Sequence, residues 1–146
     1  MSNGKRLAFD FGSVRIGVAA SDNSGILVSP LEIIVNDENL EVNLRNILHE
    51  VEPIYIVIGI PNKLSGAPGS NQSDVNKFVD KIKSITQIPI FGIDERLSTV
   101  SAAAKLRDSG KNAKTSKDLI DSAAAVGILE LAMEFEKSGG LAKCEL

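Results

Sequence analysis

The hydrophobic pattern of the chain changes its period at Asn36, and this change limits the folds that are open to it. Before Asn36, three short segments separated by turn residues are typical of β-strands, namely Arg6 to Phe11, Arg15 to Ser21 and Ile26 to Val35. The third contains Pro30, and proline is confined to edge strands because it cannot donate a ladder hydrogen bond. We therefore predict an antiparallel three-stranded meander with the third strand at an edge.

After Asn36, helical and strand patterns alternate. An apolar stripe at helical spacing predicts a first helix, with Asn36 or Asp37 as its N-cap and Pro53 beyond its end; the stripe is Leu40, Leu44, Ile47, Leu48 and Val51. A second helix is predicted by Val75, Phe78, Val79, Ile82 and Ile85. An apolar strand follows each helix, at Ile54 to Ile58 and at Ile88 to Ile93. This order indicates parallel strands joined by right-handed crossovers.

The last third of the chain is helical in pattern. We predict an Ala-rich helix near Thr99 to Asp108, a polar loop from Ser109 to Thr115, and a final helix from about Ser116 to Lys137. The 146 residues suit one domain, 1–146. A meander followed by two helix–strand units predicts an α/β fold of the RNase H-like type, a mixed five-stranded sheet with helices packed on it.

The composition excludes several classes of protein. Hydrophobic residues make up 43% of the chain, yet no apolar run approaches the roughly 18 residues of a membrane span. The N-terminus has a basic start but no apolar signal-peptide stretch. The single cysteine, Cys144, cannot form an internal disulfide bond, which fits a reducing compartment. We expect a cytoplasmic protein with no membrane partner.

Asp10 is a carboxylate in an otherwise uncharged strand. Strand alternation places it with Ala8 and Gly12 on one face of the predicted sheet. A charge in such a position needs hydrogen bonds, a counter-charge or a metal ion to offset its desolvation. Asp10 is therefore a candidate metal ligand, and the structural alternative is a cap of the turn at Gly12 and Ser13.

Asp121 falls on the apolar side of the final helix. At about 100° per residue it shares a stripe with Ala124, Ala125, Ile128, Ala132 and Phe135. The helix also has a solvent-exposed side, which carries Glu130, Glu134 and Lys137. An acidic residue on that side would have no desolvation penalty. We predict that Asp121 faces the sheet and its carboxylates. The alternative is a first-turn position favoured by the helix dipole, which Asp118 fits better.

Asp94 and Glu95 directly follow the predicted fifth strand. Side chains at this end of a strand face the crevice that holds ligands in open α/β sheets. One of the two acids is expected to be a ligand and the other a cap. A surface salt bridge to Arg96 is the alternative.

Three acids from a first strand, a later strand end and a final helix can form an oxygen-ligand cluster for Mg²⁺ or Mn²⁺. Two such cations roughly 3.5 to 4 Å apart activate water and stabilise a leaving oxygen in phosphodiester cleavage. The chain offers little else, because His49 lies off the apolar stripe of its helix and no nucleophile-elbow or phosphate-loop motif is present. We predict a metal-dependent nuclease.

Positive charge is concentrated before the final helix. Five basic residues face one acid, Asp108, in this stretch; they are Lys105, Arg107, Lys111, Lys114 and Lys117. The formal net charge is -3, so any affinity for phosphates must be local rather than spread over the whole surface. We predict that Lys111, Lys114 and Lys117 contact the substrate, and the alternative is a solvated loop.

Four segments together resemble the YqgF family, whose members are described as Holliday-junction resolvases and are also proposed to process the precursor of 16S ribosomal RNA. The segments are FDFGSVRIGVAASD (9–22), VIGIPNKLSGAPGS (57–70), IDERLSTVSA (93–102) and IDSAAAVGILE (120–130). The resemblance implies an acidic triad of Asp10, Glu95 and Asp121, with Arg15, Arg96 and Thr99 near the substrate. In the strand order 3-2-1-4-5 of this fold, Glu95 starts two strands away from Asp10. Its long side chain or a loop movement must close that gap.

The resemblance implies a nucleic-acid partner, and we favour an RNA precursor over branched DNA. Recognition of a branched DNA junction usually benefits from a two-fold symmetric dimer. The sequence contains no long exposed apolar helix that would indicate a dimer interface, so we expect a monomer or a weak homodimer. A non-catalytic factor that binds ribosomal RNA is a further alternative. Actin-like nucleotide-binding proteins share the fold and the D-x-G turn, but they pair two such domains and this chain has one.

Overall fold

The computed structural model describes residues 3–61, 70–95, 97 and 113–146. Five strands form one sheet: β1 (Arg6–Asp10), β2 (Arg15–Ser21), β3 (Val28–Val35), β4 (Tyr55–Ile60) and β5 (Ile90–Asp94). The strand order is β3-β2-β1-β4-β5. The β1–β2 and β2–β3 pairs are antiparallel, whereas β1–β4 and β4–β5 are parallel. The predicted meander, the parallel pairing of the later strands and the edge position of β3 are confirmed.

The helices α1 (Leu40–Val51), α2 (Ser70–Ile85) and α3 (Ala113–Ser138) cover the two faces of the sheet, and a 3₁₀ helix follows at Leu141–Cys144. Leu7 and Phe9 of β1 pack in a core with α1 and α2. Ala8, between them in sequence, packs in a second core with α3. The predicted alternation of β1 is confirmed, because successive side chains enter opposite cores.

The start of α1 differs from the prediction. Neither Asn36 nor Asp37 is the N-cap, because the helix begins at Leu40 and Asn39 occupies the cap position. Asp37 forms a turn ahead of the helix, in which its Oδ1 accepts a hydrogen bond from the backbone N–H of Asn39 at 2.9 Å. Asn36 instead directs its side chain to the β1–β2 turn. Asparagine and aspartate stabilise turns as readily as caps, which the sequence pattern does not distinguish.

The final helix begins earlier than predicted. Residues 113–115, predicted as loop, belong to α3, so Asp118 lies inside the helix rather than at its N-terminus. The predicted helix from Thr99 to Asp108 lies outside the described residues. In the described part of the chain, no helix is both long and apolar enough to span a membrane.

One charged pair is buried between the sheet and α3. Arg6 of β1 and Glu136 of α3 are 4% and 8% exposed. The Arg6 Nη2 and Nε atoms lie 2.8 and 3.2 Å from the two oxygens of the Glu136 carboxylate. The Tyr55 hydroxyl of β4 donates to the same carboxylate at 2.7 Å. Three elements are therefore joined at the end of the sheet where β1 and β4 begin.

Each member of this cluster titrates differently from the free side chain. Burial raises the pKa of Glu136, but the hydrogen bonds from Arg6 and Tyr55 and the charge of Arg6 outweigh it, so the pKa lies below its usual value. Burial and the neighbouring carboxylate raise the pKa of Tyr55. The ion pair and the neutral phenol therefore persist across the neutral range.

We predict that Glu136→Gln lowers the free energy of unfolding by about 3 kcal/mol at neutral pH, because it leaves the buried Arg6 charge without a partner. The folded-state pKa of Glu136 is depressed, so its contribution is present above the unfolded pKa and is lost as pH falls through the folded pKa. The gap between the two proteins should therefore narrow at acid pH. Urea denaturation at several pH values measures this.

The control is Glu41→Gln, which breaks the exposed Glu41–Arg45 pair on α1. Exposed pairs of this spacing contribute roughly 0.5 kcal/mol or less. Equal losses in Glu136→Gln and Glu41→Gln would contradict a structural role for the buried pair.

Candidate functional site

The carboxyl ends of β1, β4 and β5 meet at one edge of the sheet. Ala8 of β1 lies beside Val57 of β4, and both belong to the core under α3. Asp10 lies two residues beyond Ala8, so strand alternation places it on the α3 side of the sheet as predicted. Its side chain is partly exposed and has an interaction partner.

Glu95 lies at the same edge of the sheet, directly after the last residue of β5. Its backbone N–H donates to the Ile60 carbonyl at 3.0 Å, which continues the parallel pairing of β4 and β5 by one residue. Its side chain turns back over β4, because its Cγ lies only 3.6 Å from the point that a Cβ atom on Gly59 would occupy. Glu95 is partly exposed and also has an interaction partner.

Gly59 is the residue that allows this approach. It lies two residues after Val57 on the α3 side of β4, directly after the Phe9–Ile58 pair and opposite Ile93 of β5. Two strand spacings, together about 10 Å, separate the backbones of β1 and β5. Since Gly59 has no side chain, both Ile128 of α3 and the Glu95 side chain lie over the backbone of β4 there. The sequence predicts that a long side chain or a loop movement closes this gap, but its pattern did not point to Gly59.

Position 121 belongs to α3, but the side chain of Asp121 lies outside the described ones. The helix face to which the sequence assigned it is the buried face, since Ala125, Ile128 and Ala132 are fully buried. The same face also carries Glu136, whose burial the sequence analysis missed. Glu136 lies four residues after Ala132 on the helical stripe, so the helical period could have revealed it.

Ser122 holds the helix next to Asp121 against the sheet. The β2–β3 pairing shifts its register between Ile16 and Val18. At this irregularity the Ser122 hydroxyl donates to the Leu31 carbonyl at 2.9 Å and accepts from the Val18 N–H at 3.4 Å. Ser122 is 1% exposed, and its hydroxyl satisfies the N–H of the fully buried Val18 and the carbonyl of the partly buried Leu31.

The turn that follows Asp10 is fixed by two further residues. A Cβ atom at Gly12 would lie 2.3 Å from the Arg15 carbonyl oxygen, so this position accepts only glycine. The side chain of Asn36 donates to the Gly12 carbonyl at 3.0 Å, and its backbone N–H donates to the Val14 carbonyl at 2.9 Å. Asn36 therefore supports the turn that carries Asp10, a role that its sequence position did not indicate.

The remaining predicted site residues are only partly described. Arg15 begins β2 beside this turn and is exposed. Lys114 and Lys117 lie in α3 with undescribed side chains, and Arg96, Thr99 and Lys111 lie outside the described residues. The described side chains contain no cluster of three acids, histidines or cysteines that could hold a metal ion. Asp10 and Glu95 are the two described members of the predicted triad.

Comparison with known proteins gives a family match over most of the chain. Residues 4–134 match the family model described as "RuvX: Holliday junction resolvase". A protein of Streptomyces coelicolor named "Putative pre-16S rRNA nuclease" is 41% identical over 143 residues, covering 96% of this chain and 86% of its own. A protein of the same name from Clavibacter michiganensis is 40% identical, with 96% and 89% covered.

Solved structures share the fold at low sequence identity. RuvC of Thermus thermophilus, in complex with a Holliday junction substrate, matches with a TM-score of 0.67 and 11% identity, covering 98% of this chain and 99% of that chain. The fowlpox virus Holliday junction resolvase matches with a TM-score of 0.53 and 18% identity, covering 89% and 98%. These likenesses confirm the predicted RNase H-like fold class.

We predict that Gly59→Ala lowers the unfolding free energy by about 1 to 3 kcal/mol, because the new Cβ would lie 2.5 Å from Ile128 Cδ1. Adding Ile128→Val removes that methyl group and should recover part of the loss. Gly140→Ala is the control, since its nearest neighbour would be 3.6 Å away. Thermal and urea denaturation measure these changes, and a Gly59→Ala protein as stable as Gly140→Ala would refute the close packing.

We predict that Ser122→Ala lowers the unfolding free energy by about 1 to 3 kcal/mol, because the Val18 N–H and the Leu31 carbonyl lose their hydroxyl partner in the interior. The matched control is Ser138→Ala in the same helix, whose exposed hydroxyl donates to the Phe135 carbonyl. Amide hydrogen exchange at Val18 should accelerate in Ser122→Ala alone. Unchanged protection at Val18 would contradict the assigned hydrogen bonds.

Proposed function

Because the chain belongs to the RuvX Holliday junction resolvase family, we propose that it is a nuclease that depends on a divalent metal ion and uses Asp10, Glu95 and Asp121 as its acidic site. Its relatives of 39 to 41% identity carry a nuclease name, and it shares nearly its full length with them. Nucleic acid is therefore its substrate, and the proposal concerns the site, the metal and the kind of nucleic acid.

The placement of Asp10 and Glu95 at the same edge and on the same side of the sheet supports the proposal. Carboxylates placed at one sheet edge repel each other, and such a placement is typical of a functional site. Because Gly59 lacks a side chain, Glu95 can extend over β4, with its Cγ 3.6 Å from the point that a Cβ atom on Gly59 would occupy. The helix position of Asp121 lies on the face of α3 that packs on the same side of the sheet.

The donor set fits a hard cation. Carboxylate oxygens are the ligands that Mg²⁺ and Mn²⁺ prefer, and the single histidine, His49, is exposed at the end of α1, near Pro53, where the chain enters β4 at the other end of the sheet. When bound, such ions supply an activated water and stabilise the leaving oxygen. The carboxylates of Asp10, Glu95 and Asp121 would hold the ions, and Asn36 and Gly12 keep Asp10 in place.

The substrate we favour is the precursor of 16S ribosomal RNA, processed in the cytoplasm. The names of the curated relatives support this choice, whereas the family model describes resolvases of branched DNA. Arg15, Arg96, Thr99, Lys111, Lys114 and Lys117 are the proposed substrate contacts. Resolution of a four-way junction requires two cuts, and a monomer or weak homodimer suits single cuts in RNA better.

We predict that purified protein cleaves an RNA substrate spanning the 16S precursor end only with Mg²⁺ or Mn²⁺, and that excess chelator abolishes cleavage. Asp10→Asn and Glu95→Gln should each lower kcat by at least about 100-fold, and the double variant should be little worse, because residues acting as one unit are not additive. His49→Ala is the control and should retain full activity. The same proteins are assayed on a four-way DNA junction.

Cleavage that persists in excess chelator, or in Asp10→Asn, would refute the metal-dependent acidic site. Cleavage of the junction but not of RNA would favour the resolvase function. Binding of ribosomal RNA without cleavage of either substrate would favour the non-catalytic assembly factor.

A further inference from the structure

A small cavity lies on the opposite side of β1 from Asp10. It has a volume of about 300 Å³ and lies between the β1–β2 turn and the middle of α2. Phe11, Ser13, Phe78, Lys77 and Lys81 are among its lining residues. Ligand cavities in proteins start at about this volume, so it has room for one flat group rather than for an extended ligand. We call it the Phe11 cavity.

The wall of the Phe11 cavity is aromatic. The rings of Phe11 and Phe78 lie 5.0 Å apart, and Phe78 in turn makes an edge contact with Phe9 at 5.7 Å. Phe78 is 2% exposed, whereas Phe11 is only partly buried. The core therefore fixes the orientation of Phe11 while part of its ring remains accessible. A fixed, accessible aromatic ring is the platform on which proteins stack unpaired bases.

The rim of the Phe11 cavity is mainly cationic. Lys77 and Lys81 are exposed and lie one turn apart on α2, so their Cβ atoms are about 6 Å apart. Neither lysine forms an ion pair within the described part of the chain. Asp74 also lines the cavity and offsets one of the two charges. The rest of the protein carries a negative net charge, so this pair is a local attraction for phosphate.

The position of the Phe11 cavity connects it to the acidic site. Phe11 directly follows Asp10 in the sequence. The short β1–β2 turn, which contains Ser13, lies between the acidic site on one face of the sheet and the Phe11 cavity on the other. A nucleic-acid strand that crosses this turn would contact the acids on one side and the cavity on the other. A base stacked on Phe11 is not paired, so the strand must be single at that point.

We propose that the Phe11 cavity binds one nucleotide of a single-stranded segment next to the cleavage point, with its base on Phe11 and its flanking phosphates at Lys77 and Lys81. This inference rests on the proposed function for the identity of the substrate as a nucleic acid. It adds that the substrate is single-stranded beside the acidic site. A fully paired duplex or a perfectly stacked junction arm would not use the cavity.

The experiment measures binding of a fluorescent single-stranded RNA, and of a hairpin duplex of the same composition, by anisotropy at several salt concentrations with chelator present to prevent cleavage. The double variant Lys77→Gln/Lys81→Gln should flatten the slope of log affinity against log salt for the single strand by about 1.4, since each single-strand phosphate contact contributes about 0.7. Lys83→Gln/Lys143→Gln removes the same charge away from the cavity and should leave the slope unchanged.

Phe11→Leu should weaken single-strand binding about five-fold or more, while Phe11→Tyr, which keeps the aromatic ring, should bind as the wild type does. Duplex binding should not change in either variant. Thermal denaturation checks that both variants are folded. Since the lysine variants change only exposed side chains, they test the cavity even if Phe11→Leu does not fold.

An unchanged salt slope in Lys77→Gln/Lys81→Gln would overturn the proposal, as would equal losses of single-strand and duplex binding in Phe11→Leu. The proposed function is tested separately by metal-dependent cleavage. A wild-type protein that binds the single strand through the cavity but cleaves nothing would leave this inference standing and refute the nuclease site. If the protein cleaves normally but none of the cavity variants changes binding, the nuclease site stands and the inference about the Phe11 cavity is refuted.

Discussion

The buried ion pair between Arg6 and Glu136 holds α3 at one position along the sheet, and the geometry of the carboxylate edge depends on that position. A buried charge has to be matched by its partner, so the helix cannot slide by a turn without stranding Arg6. Eight residues of helix from Glu136 back to Ile128 span about 12 Å, and four residues of strand from Tyr55 to Gly59 span about 13 Å. The match in length brings Ile128 onto Gly59, whose missing side chain leaves space for Ile128 Cδ1.

Small residues in the core also help to fix the position of α3 on the sheet. Ala125 and Ala132 of α3 pack with Ala8 and Ala19 of the sheet in one core, so helix and sheet approach closely. Ser122 then attaches the helix to the irregularity between β2 and β3. The helix is held at Glu136 and at Ser122, and position 121 lies directly beside the second attachment. A rigid support of this kind is what a constellation of acids requires.

The two sides of the sheet have different roles in the proposed function: one carries the acidic site and the other carries the Phe11 cavity. The α3 side carries the acids, and its core contains the small residues Ala8, Ala19, Ala125 and Ala132. The other side is packed with larger residues of α1 and α2 and ends in the aromatic Phe11 cavity. Strand alternation alone sends Asp10 and Phe11, which are neighbours in sequence, to these two environments.

The sequence by itself determined the order and type of the elements, because hydrophobic periods of two and of about 3.6 residues reflect local geometry. It also placed Asp10 on the side of the sheet that α3 covers, and it gave the buried face of α3. Element ends were less certain, as the misplaced N-cap of α1 shows, since Asn36 and Asp37 have side chains that suit turns and caps equally. Only the tertiary structure decided that Glu136 is paired with Arg6 and that Glu95 lies over Gly59. Those contacts join residues 130 and 36 positions apart, and no local pattern encodes which distant side chain will be the partner.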